Sequence, residues 1–288
     1  MTFDGRVSVV VATRDRRDEL LRTVYHLLTL PERPHVVAVD NASSDGTPEA
    51  LSRLFPEVEV VALSENLAAA GRTVGVRLCS TPYVAFADDD SWWEPGSLRR
   101  AADLLDAHPR TGLLAGRVLL GPAGREDPVC RLMAGSPLPA GEGLPGPAVL
   151  GFVACAAVVR REAYLEVGGF ERRLFWGEEE LLAADMAAAG WGLCYVPELV
   201  VRHHPSPVRD VRANRRRAVR NALLTSWLRR PAPVALRRSL QALRSSLRDP
   251  DARAGLAAAL AGLPWALRGR RPLPPPVEAG FRLLEAER

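Results

Sequence analysis

Two hydrophobic periods alternate along the first hundred residues. Val7 to Ala12 is an unbroken, largely β-branched apolar run, the pattern of a strand buried on both faces of a parallel sheet. Asp18 to Leu30 then places Leu20, Leu21, Val24, Leu27 and Leu28 at helical spacing. His35 to Val39 predicts a second strand, Pro48 to Phe55 a helix and Val58 to Leu63 a third strand. A helix follows Asn66 to Arg72, and the run Tyr83 to Ala87 predicts a fourth strand. Strands alternating with helices predict an α/β fold on a parallel, right-handed doubly wound sheet.

The pattern then loosens. Residues 121–148 carry Pro122, Pro128, Pro137, Pro139, Pro145 and Pro147 and are expected to form a long flexible connection. A small-residue strand is expected over Gly151 to Val159, then a helix through Val167 that Gly168-Gly169 ends. Glu178-Glu179-Glu180 opens a helix continuing through Leu181, Leu182, Met186 and Ala189, and Leu193 to Val201 predicts a strand reaching Arg202-His203-His204. Ala254 to Leu267 suggests a short helix, and the end from Pro272 onward is expected to be loosely held.

Sheets of this class bind ligands beyond the carboxyl ends of their strands. Three polar clusters fall at that edge: Thr13 to Asp15, Asp40 to Asp45 and Asp88-Asp89-Asp90. Three adjacent carboxylates repel one another at a half-buried strand end unless a cation compensates them. Hard oxygen ligands suit Mg²⁺ or Mn²⁺, ions that typically hold a phosphate-bearing substrate. In the second half, Glu178 and Glu179 sit in a first helical turn, where the helix dipole favours acids. Preceded by Phe175-Trp176-Gly177, at least one of them is expected to face an apolar pocket that raises its pKa and makes it a candidate general base. His203 and His204 adjoin on a strand and point to opposite faces. At most one should therefore reach the site, as a further metal ligand.

Composition narrows the chemistry. All 38 basic residues among the 288 are arginine, which removes Schiff-base and P-loop lysine mechanisms. Cys79, Cys130, Cys155 and Cys194 lack CxxC spacing, so neither a zinc site nor a disulfide framework is expected. The opening residues show no signal-peptide pattern and no run is long enough to span a bilayer. The expectation is a cytoplasmic protein. Between Arg202 and Arg248 many arginines, Arg209 among them, interleave with Val211, Val219, Leu223, Leu224, Trp227 and Leu228 at helical spacing. Such a stretch can lie on an anionic membrane at the inner face of the plasma membrane, or pack its apolar side inward. The sequence pI near 9.2 raises nucleic acid as a partner, but no groove-reading motif accompanies it.

Taken together, the motifs resemble a family 2 inverting glycosyltransferase of the GT-A type. Val7 to Thr13, Val39 to Thr47, Asn66 to Arg72, Phe86 to Asp90, Gly168 to Phe170, Trp176 to Glu179 and His203-His204 carry the likeness, in the family's order, over about residues 7–207. The resemblance implies a GT-A-type doubly wound, mostly parallel sheet flanked by helices, with a C-terminal helical extension. It implies a donor-binding half over 1–110, an acceptor and catalytic-base half over 111–207, and an Arg-rich extension over 208–288. The donor would be a UDP, dTDP or GDP sugar with Mn²⁺ or Mg²⁺, and the acceptor a hydroxyl of a glycan or lipid-linked glycan. By the same resemblance Thr13, Arg14, Asp15, Asp40 and Asn41 would border the base and ribose, and Arg72 the base and diphosphate. Asp88, shared with the ribose, and Asp90 would hold the metal beside His203 or His204, with Asp89 next to them. Glu179 would be the base, although a Glu-Glu pair where the family often has Glu-Asp leaves Glu178 open. Ala68 stands where many relatives have Gly, and the loop at 121–148 is expected on the acceptor side. A nucleotidyltransferase would share the sheet and acids but would more often show a Gly-rich loop after the first strand. A catalytically silent sugar-nucleotide or membrane-binding module is the reading from outside the enzymes.

Overall fold

The computed structural model describes residues 5–141, 143–175, 177–205 and 211–287. Trp176, Arg209 and the expected division between 207 and 208 lie outside the described residues. The first half runs β1 (Val7–Thr13), α1 (Arg17–Leu28), β2 (His35–Asp40), α2 (Thr47–Leu54), β3 (Glu59–Ala62), α3 (Ala70–Leu78), β4 (Tyr83–Asp88), β5 (Ser91–Trp93) and α4 (Ser97–Ala107). The second half comprises β6 (Thr111–Leu120), β7 (Arg125–Glu126), α5 (Pro128–Ala134), β8 (Ala157–Arg160), α6 (Arg161–Glu166), α7 (Glu179–Ala188) and β9 (Gly192–His203). Four helices close the chain: α8 (Val211–Arg229), α9 (Ala232–Ser246), α10 (Pro250–Arg268) and α11 (Pro275–Ala286).

One sheet carries the strands in the order β3-β2-β1-β4-β8-β6-β9-β5, with β7 paired to β6. Its first four neighbours are parallel throughout, as the alternating pattern predicts. Val9, Val10, Val11, Val37 and Phe86 are fully buried, which is why these strands read as unbroken apolar runs. Helix α3 lies so close that a Cβ on Gly75 would fall 2.6 Å from Val10 Cγ1. Register sets the functional edge: Thr13 pairs with Asp40, and Ala12 with Asp88. Antiparallel pairing enters with β8 and returns at β5, which lies along β9 with Ser91 opposite His203.

Some expectations are corrected. The connection over 121–148 is not structureless, because β7 and α5 lie within it. Asp127 caps α5 by accepting from Val129 N at 2.9 Å, ahead of Pro128 in the first turn, and Cys130 and Met133 are buried beneath it. A capping Asp followed by Pro was the signal. The strand expected from Gly151 begins only at Ala157, after a 3-10 turn at Ala154–Ala156. The C-terminus is helix rather than loose chain. In α11, Phe281 packs in a cluster with Ala184 and Leu273, and buried Glu278 bonds Arg230 at 2.6 Å. The apolar side of α8 turns inward, where Leu224 and Leu228 form a core with Leu174, Leu181 and Ala266.

Candidate active site

A cleft of about 570 Å³ opens at the carboxyl rim, lined by Thr13, Arg14, Arg16, Asn41, Arg72, Asp88, Asp89, Asp90 and His203, with Phe175, Asn214 and Arg217 from later in the chain. The β4–β5 turn presents the three aspartates in different directions. Asp89 points into the protein, accepting from Thr13 Oγ1 and Arg16 Nη1, each at 3.1 Å. Burial pushes its pKa up to about 7, Asp88 and Asp90 add to the rise, and Arg16 opposes it. Asp88 is held by Arg72, and Arg16 also reaches Asp90 at 3.3 Å. Two guanidinium groups therefore offset the repulsion of the acid run.

The β5–β9 ladder brings in the histidine. His203 Nε2 lies 3.1 Å from Asp90 Oδ1, and ligand atoms of Asp88, Asp90 and His203 all fall within 4.8 Å of one another. Two carboxylate oxygens and one imidazole nitrogen form a donor set that fits a hard divalent ion such as Mn²⁺ or Mg²⁺. His204 is not brought to this cluster, because strand alternation sends it to the other side. Its ring lies against Trp92 with centroids 4.8 Å apart, and only its backbone reaches back, donating to Asp90 O at 2.8 Å. Burial, then Arg22 and Arg202, lower its pKa.

Several other predicted residues hold loops. Asp15 accepts from Ser44 N at 2.7 Å and from Ser44 Oγ at 3.1 Å, tying the β1–α1 loop to the β2–α2 loop. Asn41 accepts from Leu67 N at 3.0 Å, so its amide pins the segment before α3. Asp40 accepts from Ser43 N at 2.9 Å, while its Oδ1 is buried with no hydrogen-bond partner among the described residues. Arg14 lines the cleft beside Thr13.

The charges of Arg72 and Asp88 reach both carboxyls of the glutamate pair. Glu178, at the start of α7, is buried, and its Oε2 has no hydrogen-bond partner among the described residues. Glu179 is half-buried and accepts a backbone hydrogen bond from Ala154. Both pKa values are raised, burial being the main cause. Burial also works against the charge on Arg72, yet Asp88, Glu178 and Glu179 outweigh it and raise its pKa. Glu179 lines a second groove of about 340 Å³ walled by Val129, Leu132, Met133, Leu150, Phe152, Phe281 and Leu284. Arg16, which adjoins the predicted loop, was not among the predicted site residues. Nor were Phe281, Leu284 and Arg238 of this groove, since nothing local to a C-terminal helix signals a wall built against residues far earlier in the chain.

The family model for glycosyl transferase family 2 matches residues 8–168. The chain is similar to the N-acetylglucosaminyl-diphospho-decaprenol L-rhamnosyltransferase of Mycobacterium tuberculosis, with 29% identity over 282 residues, covering 83% of this chain and 91% of the relative. Its fold is that of the mannosyltransferase PcManGT from Pyrobaculum calidifontis, solved with GDP-Man and Mn²⁺. The TM-score there is 0.57 at 22% identity, covering 99% of this chain and 79% of that one. It is likewise that of S. aureus TarS 1-349 in complex with UDP-GlcNAc, with a TM-score of 0.58 at 16% identity over 76% of this chain and 66% of that one.

Proposed function

This chain belongs to glycosyl transferase family 2 and is a glycosyltransferase, and from that premise we propose that it moves a sugar, with inversion, from a nucleoside diphosphate to a hydroxyl of a lipid-linked glycan. The observation that carries the metal-dependent form of this reading is the convergence of Asp88, Asp90 and His203 at the cleft rim. These three residues would hold Mn²⁺ or Mg²⁺, which when bound supplies Lewis-acid stabilisation to a leaving diphosphate. Thr13 and Arg14 border the part of the cleft suited to base and ribose, and Asp40 stands beside Thr13 in the sheet register without lining the cleft itself. Asp15, Asn41 and Asp89 shape that cleft by fixing its loops. Arg72 stands between donor and acceptor sides, neutralising Asp88 while keeping Glu178 and Glu179 from facing it uncompensated.

Glu179 is the base in this reading, because it is the member of the pair that opens to the apolar groove. Its carboxylate takes the proton of the acceptor hydroxyl. The oxygen then attacks the anomeric carbon opposite the diphosphate, and the old C–O bond breaks with its electron pair leaving on the nucleotide. A desolvated carboxylate of raised pKa suits that role. In this reading residues 1–110 supply most of the donor side, joined there by Phe175, His203, Asn214 and Arg217, while 111–207 supply the base and most of the groove, and 208–288 its remaining wall. The lipid-linked acceptor is supported by the apolar groove and by the acceptor that the rhamnosyltransferase relative's name prints.

A panel of UDP, dTDP and GDP sugars with Mn²⁺ tests this by thermal shift and by transfer to a polyprenyl-linked acceptor. The cognate donor at about 100 times its Kd should stabilise the protein by about 2.7 kcal/mol. Asp90→Ala should abolish the metal-dependent part of that shift. Glu179→Gln should keep donor binding and lower kcat by about 10²–10⁴-fold. Donor binding without turnover in the unmodified protein would instead identify a silent binding module.

A further inference from the structure

Among the described residues no helix is long and apolar enough to cross a membrane, yet α9 has two apolar faces. The inner face buries Val234, Ala235 and Ser246. On the outer face, Leu236, Leu240, Leu243 and Leu247 recur at helical steps and share one stripe. They are 54%, 48%, 51% and 74% exposed. At about 100° per residue this stripe points away from the inner face. Single exposed leucines are ordinary, but an aligned row of them marks an interaction surface. Arg237, Arg244 and Arg248 run beside the row at the same helical spacing. The neighbouring α10 adds exposed Leu260 and Leu267 and has no charged residue between Arg253 and Arg268. From 232 to 271 there are eight arginines against two aspartates. Those two, Asp249 and Asp251, are taken up by Arg215 and Arg216 of α8, each at 2.7 Å.

We propose that this face of α9 docks on an anionic lipid bilayer, its leucines entering the acyl boundary and Arg244 and Arg248 meeting headgroup phosphates. A second copy of the chain fits the face poorly. Isologous contact would set its arginines against their equivalents with no acid between them. Nucleic acid would match the arginines but not the leucine row. From the opposite side of the same helix Arg238 lines the groove that holds Glu179, so docking holds that groove one helix diameter, roughly 10 Å, from the surface where a lipid-linked acceptor resides. That last consequence rests on the transfer reading; the docking itself does not.

Cosedimentation with vesicles of mixed phosphatidylglycerol and phosphatidylcholine, against phosphatidylcholine alone, tests the proposal. The protein should bind the anionic vesicles and release them at high salt. Leu240→Ser with Leu243→Ser and Leu247→Ser, all at exposed positions, should leave the melting temperature unchanged and weaken binding at least tenfold, on the order expected for losing buried apolar area. Arg244→Gln and Arg248→Gln should each weaken it by about fivefold. Absence of vesicle binding, equal binding by the leucine variant, or a dimer in light scattering that the leucine variant loses would overturn it. So would preferential binding to duplex DNA. Hydrolysis of a soluble nucleotide sugar, measured on the same samples, reports on the transfer reading separately.

Discussion

Glu178 shows what a single buried carboxyl costs this fold. Its pKa is raised by burial and then by the neighbouring charge of Glu179, so the folded protein holds its proton to higher pH than the unfolded chain does. Below the unfolded value, about 4.3, the group is neutral in both states and carries no penalty. As pH rises from there toward the raised folded value, the unfolded chain ionises first and stability falls. Glu178→Gln should therefore melt close to the parent near pH 4 and increasingly above it toward neutral and mildly alkaline pH. Calorimetry across that range checks this, and a pH-independent difference would refute it. Ala68 is a second strained position, with φ at +49° in the loop that Asn66 and Asn41 pin. The left-handed region is costly for alanine and free for glycine, so Ala68→Gly should stabilise by about 0.5–1 kcal/mol once the looser unfolded chain is allowed for. Denaturant midpoints at constant slope would show it. At this scale the acid run at a strand end was legible in the sequence, while the choice of Asp88 and Asp90 as metal holders came from the family resemblance and strand alternation left His203 and His204 open. The loop-holding roles of Asp15, Asn41 and Asp89 were not legible, because an oxygen bound to a loop amide and one facing a cleft look alike until neighbours are placed.

Among the elements, the four parallel strands were legible because β1, β2 and β4 are buried along almost their whole length and the connecting helices carry apolar residues at helical spacing. The short β7 and α5 were hidden by the density of proline, a residue that begins helices as well as breaking loops. Helix α10 extends beyond the expected Ala254 to Leu267, from Pro250 to Arg268, because its small residues give little hydrophobic contrast at its ends. Those small residues have a packing purpose: Gly255, Gly262 and Gly269 recur every seven positions and lie against Val219, Leu224 and Leu228 of α8. A Cβ on Gly255 would fall 2.7 Å from the carbonyl oxygen of Arg216, whereas one on Gly262 meets only the tips of Leu224 at 3.0 Å and beyond. Alanine is the better helix former by about 1 kcal/mol, but a backbone clash cannot be relieved by turning a side chain. Gly255→Ala should thus lower stability by about 1–2 kcal/mol, while Gly262→Ala should be tolerated. Thermal unfolding of the two variants side by side distinguishes close backbone packing from mere helix propensity.

Across the whole molecule, the C-terminal helices wall the groove at Glu179 as well as packing against α7. Arg230, 1% exposed, binds Glu278 at 2.6 Å and sits over Phe281 at 5.1 Å from the ring centre, which fixes α11 against the α8–α9 junction. Fixed there, α11 offers Phe281 and Leu284 to the same groove that α5 borders with Leu132 and Met133. The cleft at the acid run and this groove share no lining residue and are coupled through the charges of Arg72 and Asp88 on the glutamates. That separation makes the two binding steps independently addressable. Leu132 is 73% exposed, so replacing it costs the fold little. Covering such a leucine with an apolar acceptor is worth on the order of 1–1.5 kcal/mol. Leu132→Ser should then raise KM for a polyprenyl-linked acceptor by about tenfold while leaving the donor Kd and the melting temperature unchanged. A short water-soluble acceptor should show no such change, because it has no chain to lay along the wall. If both acceptors slowed equally, or donor affinity fell with them, the groove would be part of the donor site and the proposed division of labour between the halves of the chain would fail.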